Sequence, residues 1–189
     1  MLRDEELLSD FLGGDGAAFD ELMARHEDHI FGLCLRMMGS REDALDATQD
    51  TFLTVYRKGG QYSGRSKFST WLYRVAVNTC HDHLRKRKRH QVVPIPEGSD
   101  LPDSSVDDQL DSVELRPDIL HALASIPEEF RGVVMLVDID GLALEEVAEI
   151  LTLPLGTVKS RTYRGRRLLA EYLGNFRGSS EHQKDEDHA

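Results

Sequence analysis

Residues 92–113 read VVPIPEGSDLPDSSVDDQLDSV, and this stretch most constrains what the chain can fold into. It holds three prolines and six acidic residues, with no lysine or arginine. Proline removes a backbone donor and breaks helix interiors. Unbalanced negative charge with little apolar surface does not collapse into a core. One continuous core across this stretch is therefore excluded. The 189 residues divide into a segment 1–91, a flexible acidic linker 92–113, a segment 114–176, and a polar tail 177–189 expected to be disordered. Hydrophobic residues form 40% of the chain, which lets each flanking segment bury a small core.

Both segments read as helix. Within 43–56, Leu45, Thr48, Phe52, Val55 and Tyr56 recur at three- and four-residue steps on one side. Residues 68–87 contain no proline or glycine, and Trp71, Leu72, Val75, Ala76, Thr79 and Leu84 repeat at helical spacing. Strands have little support. The nearest case, 133–137, is flanked by helix formers and reads as a buried helix. The expected fold class is all-α, in two small helical domains.

Several classes are set aside. No apolar run approaches the roughly 20 residues a membrane span needs, and the acidic start MLRDEELLSD has no uninterrupted apolar stretch of the signal-peptide kind. A cytoplasmic protein without membrane insertion is expected. Cys34 and Cys80 are too few for a disulfide scaffold and read as buried thiols. His26 and His29, near Cys34, have a spacing that chance supplies among eight histidines, so no metal or cofactor is expected. No nucleophile–base pair or phosphate-binding loop stands out, so the chain is not read as an enzyme. Asp138 and Asp140, flanking Gly141, are expected to cap helices.

The last module carries the sharpest local signal. Residues 145–151 form a short amphipathic helix with Val147, Ala148, Ile150 and Leu151 inward, and Pro154 and Gly156 break it. Thr157 is expected to cap a second helix, 158–172. Helix, tight break and basic helix is the helix-turn-helix arrangement. The second helix carries Lys159, Arg161, Arg164, Arg166 and Arg167 before its first acid, Glu171. In a chain of net charge −11 this is a local positive patch, and the distribution of charge decides nucleic-acid binding more than its sum. Thr157, Lys159, Ser160 and Arg161 stand where a recognition helix meets base edges. Arg164 and Arg167 are placed for phosphates.

The first module has two features of its own. Asp43, Asp46 and Asp50 form an acidic stripe, with Gln49 beside it, opposite Leu45 and Phe52. Further on, Tyr62, Phe68, Trp71 and Tyr73 interleave with Arg65, Lys67 and Arg74, then come Asn78 and the basic run 85–89 that includes Arg85 and Lys86. Aromatics stack on unpaired bases while neighbouring cations hold phosphates.

Together these motifs resemble the extracytoplasmic-function (ECF) group of sigma factors of bacterial RNA polymerase, over about residues 5–173. DALDATQDTF, from Asp43 to Phe52, looks like region 2.2. FSTWLYRVAVNTCHDHLRKRKR, from Phe68 to Arg89, looks like regions 2.3 and 2.4. Residues 126–169 look like region 4. The resemblance implies a sigma-2 bundle and a sigma-4 helix-turn-helix. It implies a factor that directs core RNA polymerase to promoters, contacting the β′ clamp helices and the β flap, with an anti-sigma factor as a further partner. Asp43, Asp46, Gln49, Asp50 and Phe52 would dock on polymerase. Tyr62, Arg65, Lys67, Phe68, Trp71, Arg74, Asn78, Arg85 and Lys86 would melt and read the −10 element. Thr157, Lys159, Ser160, Arg161, Arg164 and Arg167 would read the −35 element. Three positions depart from the family: Leu45 stands where an acid is usual, Ala47 where a bulky aliphatic is, and Thr152 where glycine is. The main alternative is a stand-alone LuxR-like helix-turn-helix regulator that binds duplex sites without polymerase.

Overall fold

In the computed structural model, residues 2–91 and 117–186 are described. The expected linker 92–113 and residues 187–189 lie outside them. The chain divides into two compact units, Met1–Val113 and Glu114–Ala189. Among the described residues every regular element is helical.

The first unit comprises α1 (Asp4–Leu12), α2 (Gly16–Met38), α3 (Arg41–Lys58), a 3-10 turn (Gly59–Gln61) and α4 (Phe68–Gln91). Local chemistry fixes the boundaries. Asp15 caps α2 by accepting from the Ala17 amide at 3.0 Å. Gly39, at φ 69°, ends it in the left-handed conformation that only glycine adopts cheaply. Ser40 caps α3 through the Asp43 amide. Asp4 then ties α1 to α2, accepting from Arg25 at 2.6 Å and lying 2.8 Å from His26 Nε2. The core is a seam between Leu33, Cys34 and Met37 of α2, Ala44 and Ala47 of α3, and Leu72, Ala76 and Cys80 of α4, all buried.

The inward face of α3 differs from the expectation. Thr48, Phe52 and Val55 are buried, but Leu45 is 51% exposed and Tyr56 is 57% exposed. Small and self-satisfied residues take the inward positions instead. Ala44 and Ala47 permit close approach, while Thr48 and Thr51 donate their hydroxyls back to the carbonyls of Ala44 and Ala47 at 2.8 and 2.7 Å. A threonine that bonds its own helix can be buried without an unsatisfied hydroxyl.

The second unit comprises α5 (Pro117–Ser125), α6 (Glu128–Val134), a π-helical turn (Met135–Ile139), α7 (Leu144–Leu151) and α8 (Leu155–Glu186). The expected buried helix at 133–137 is helical, with Val133 to Leu136 in the core. Thr152 ends α7 at φ 54°, ψ 46°, so a β-branched residue occupies a left-handed position where glycine costs less. The amides of Thr157 and Val158 donate to the Pro154 carbonyl at 2.8 and 3.1 Å. Thr157 therefore lies inside the first turn of α8 and is not its cap. Pro154 can serve at this boundary because a cap supplies a carbonyl and needs no amide. Asp138 does not cap a helix either: it accepts two bonds from Arg166 Nε, at 3.0 and 3.1 Å, and one from its terminal nitrogen. The tail expected to be disordered from Arg177 continues as α8 through Glu186. It contains no proline, and extending an established helix costs far less than nucleating one.

Gly165 lets α8 pass close to α6. A Cβ there would collide with Cγ2 of Val134 and lie 3.2 Å from Cβ of Phe130. Two outcomes follow for chemical denaturation followed by circular dichroism. Gly165→Ala lowers the stability of the second unit by about 1–3 kcal/mol, the usual cost of overpacking. Thr152→Gly raises it by roughly 1 kcal/mol, by relieving the left-handed strain. The single tryptophan, Trp71, reports the first unit, and its fluorescence transition stays where it is in both variants.

Candidate functional site

The first surface lies between α2 and α3. Leu45, Gln49, Leu53 and Tyr56 run along one side of α3 and face Phe19, Met23 and Phe31 of α2 across an open groove of about 590 Å³. Glu27, Asp28 and Asp46 bring negative charge to its lining, and Arg41 sits 5.4 Å from the centre of the Phe31 ring. Leu45, Leu53 and Tyr56 are all exposed. A contiguous apolar surface framed by polar residues is what a protein-docking site offers.

The acidic stripe of α3 divides here. Asp46 lines the groove beside Leu45 and Gln49. Asp43 and Asp50 turn toward α4 instead. Asp43 pairs with Arg87 at 3.0 Å, and Asp50 lies 2.8 Å from His83 Nε2. Phe52 is buried, with one edge in the groove wall. In the sequence Leu45 stands as a departure from the family and Tyr56 as part of the apolar side, and nothing there marks Leu53 as a docking residue. Leu45 and Leu53 each lie four residues from Gln49 and Tyr56 lies three beyond Leu53, a spacing that puts all four on one side of the helix, but the bulk of Leu45 and Tyr56 points to the core instead.

The second surface is built on α4 and the loop before it. The Tyr62 hydroxyl donates to the Ser66 carbonyl at 2.5 Å, closing the loop on itself. The Phe68 amide donates to Glu5 of α1 at 3.2 Å, which fixes where α4 begins. Tyr62, Phe68 and Trp71 form a three-ring cluster with centroids 5.7–5.8 Å apart. Burial raises the Tyr62 phenol above its ordinary pKa, and the carboxylates of Glu5 and Asp4 add to this. Phe68 is 1% exposed, so it is the floor of the cluster and not a surface reader. Trp71 and Arg74 are half-buried. Asn78 is exposed on the same face of α4, about 10 Å farther along the axis from Trp71. Arg65 and Lys67 are exposed on the loop, and Arg85 and Lys86 toward the end of α4, where Arg85 also pairs with Asp82 at 2.8 Å.

The third surface is the outward side of α8. Lys159, Ser160, Arg164 and Arg167 share it, and Tyr163 stands among them, 71% exposed. Tyr163 was missed in the sequence, although its spacing of four from Lys159 and three from Ser160 places it on that face. Thr157 is half-buried at the start of the helix. Arg161 leans aside to Glu129 at 3.3 Å, and Arg167 lies 3.5 Å from Glu171. Lys159 and Arg164 make no ion pair with any described residue.

Comparisons with known proteins agree across the chain. Residues 22–90 match the family model for sigma-70 region 2, and residues 116–169 match that for sigma-70 region 4. The chain is 36% identical over 171 residues to the ECF RNA polymerase sigma factor SigM of Mycobacterium tuberculosis, covering 90% of this chain and 85% of SigM. It is 36% identical over 170 residues to SigW of Bacillus subtilis, covering 85% of this chain and 91% of SigW. SigE of Mycolicibacterium smegmatis is 39% identical over 166 residues, of which the chain spans 64% of the relative's length. Among solved structures, the sigma factor RpoE of Bartonella quintana, crystallised with the anti-sigma factor NepR, gives a TM-score of 0.66 at 25% identity, covering 82% of this chain and 96% of RpoE. CnrH, solved with the cytosolic domain of CnrY, shares the fold at a TM-score of 0.67 and 24% identity, covering 91% of this chain and 97% of that one.

The loop before α4 can be tested directly. Tyr62→Phe removes the hydroxyl bonded to Ser66 and costs about 0.5–1.5 kcal/mol. Amide exchange across residues 63–67 accelerates, while exchange in α2 is unchanged.

Proposed function

The chain belongs to the ECF group of the sigma-70 family, and on that footing we propose how its two units select promoters for RNA polymerase. The first unit docks on core polymerase through the α2–α3 groove. Leu45, Leu53 and Tyr56 supply apolar anchors, and Asp46 and Gln49 supply polar register. Asp43 and Asp50 are already engaged by Arg87 and His83. They contribute less to docking than an unpartnered stripe would, because exchanging one exposed ion pair for another yields little.

The same unit reads single-stranded −10 DNA on its α4 side. Trp71 and Tyr62 offer ring faces to an unpaired base, while Arg65, Lys67 and Arg74 hold phosphates. Asn78 supplies a side-chain amide able to give and accept hydrogen bonds. Phe68 braces the cluster from below. The second unit reads the −35 duplex with α8 in the major groove. Ser160 and Tyr163 face base edges, with Lys159, Arg164 and Arg167 toward the backbone. Arg161 reaches a base only after leaving Glu129. The chain performs no chemistry itself; polymerase does that, in the cytoplasm. An anti-sigma factor of the kind bound to RpoE would hold the factor inactive by covering these surfaces.

One observation carries this reading: a single small unit presents an apolar groove on α2–α3 and an aromatic–cationic face on α4. A stand-alone duplex-binding regulator needs neither. Run-off transcription with core polymerase on fragmented DNA from the host tests it. New discrete transcripts that require the protein are expected, and Leu53→Arg should abolish them without unfolding the chain. If no transcript appears while the protein alone binds duplex DNA tightly, the stand-alone regulator replaces this reading.

A further inference from the structure

We infer that Cys34 and Cys80 form an oxidisable dithiol in the core of the first unit, closing to a disulfide that fastens α2 to α4. The chain has only two cysteines. They lie on different helices, far apart in sequence, yet their sulfurs are 3.6 Å from each other, with the Cys80 thiol donating to Cys34. Both are free thiols with no exposed surface. A cysteine used only as a small apolar side chain has no need to meet the other one.

The geometry is close to what a bond requires. Disulfide sulfurs lie about 2.05 Å apart, so closure brings them roughly 1.5 Å nearer. The surroundings also give the two thiols different roles. The bond donated by Cys80 lowers the pKa of Cys34, with Thr48 and Arg36 acting in the same direction. The Cys80 thiol is pushed up by that shared bond and by burial. Cys34 therefore ionises first and is the attacking sulfur.

A hydroperoxide is the oxidant the site admits, being small enough to enter a transient opening between the helices. The Cys34 thiolate attacks the peroxide oxygen and the O–O bond breaks. With hydrogen peroxide this yields Cys34 sulfenic acid and one water. The Cys80 sulfur then displaces the sulfenic hydroxyl, forming the S–S bond and a second water. Two thiols lose two electrons and two protons, and one peroxide is reduced to two waters. Because neither sulfur is exposed, the rate follows local opening of the α2–α4 seam. The bond would lie one turn from Phe31, in the docking groove, and two residues from Asn78 on the reading face. It thus joins the helices that carry both surfaces. The inference does not depend on the promoter-selection reading.

The test uses the full chain and hydrogen peroxide, without polymerase. Both thiols should disappear together, with a mass loss of two hydrogens, no dimer, a peptide linking the Cys34 and Cys80 segments, and full reversal by dithiothreitol. The thermal midpoint read from Trp71 should rise by more than about 5 °C on oxidation and return on reduction. Persistent thiols, sulfinic acid on one cysteine, or disulfide-linked dimers would overturn the dithiol. An unchanged or lowered midpoint would overturn the fastening. In Cys80→Ala, Cys34 should accumulate as a sulfenic acid trapped by dimedone; no adduct in the folded variant would remove Cys34 as the attacking thiol. If that variant does not fold, the wild-type peptide map still decides.

Discussion

Burial of Leu33, Cys34 and Met37 of α2 against α3 and α4 is the contact on which the first unit depends. Each fully buried aliphatic side chain contributes about 1.5–3 kcal/mol. Exposed ion pairs such as Asp43–Arg87 contribute about 0–1 kcal/mol. The apolar seam therefore sets the geometry, and the charges adjust to it. Because α2 and α3 show their outer sides to the groove while α4 carries the aromatic cluster, one packed core fixes two surfaces in a set relation. The small residues Ala44, Ala47 and Ala76 make this possible by letting the helices approach closely.

Charge works by location. The chain is strongly acidic, and several of its cations are held by its own carboxylates: Arg87 by Asp43, Arg161 by Glu129, Arg166 by Asp138. Lys159 and Arg164 on α8 have no such partner among the described residues, and neither has Arg65 on the loop before α4. On the proposed function these are the cations left to meet phosphates. The acidic remainder disfavours weak, non-specific binding, since most of that affinity comes from phosphate neutralisation. On the proposed function such a chain would read DNA poorly alone and well when a partner supplies the rest of the binding energy.

Much of the helical architecture is legible in the sequence, because apolar periodicity and the Pro-Leu-Gly break after α7 are local signals. Thr152 stands out in the sequence only as a threonine where glycine is usual, which fits a strained turn or a differently shaped one; the left-handed conformation is seen only in the fold. What was not legible depends on tertiary packing. Leu45 and Tyr56 have the bulk of core residues, and only the alanines and self-bonded threonines beside them reveal that the inward face is already filled. Tyr163 is not a cation and so does not stand out in a basic helix until its exposure is known. The diversion of Asp138 to Arg166 spans two distant segments, as does the meeting of Cys34 with Cys80. Gly165 reads as an ordinary helix weakness until Val134 and Phe130 are found against it.

On the proposed function, opposite kinds of partner meet separate surfaces: protein at the α2–α3 groove, DNA at α8. Site-specific photocrosslinking in a promoter complex with core polymerase tests it most directly, using a photoreactive residue at position 53 or at position 163. Position 53 is expected to crosslink to a polymerase subunit and position 163 to promoter DNA upstream of the start site. Crosslinks from position 53 to DNA, or from position 163 only to protein, would contradict it.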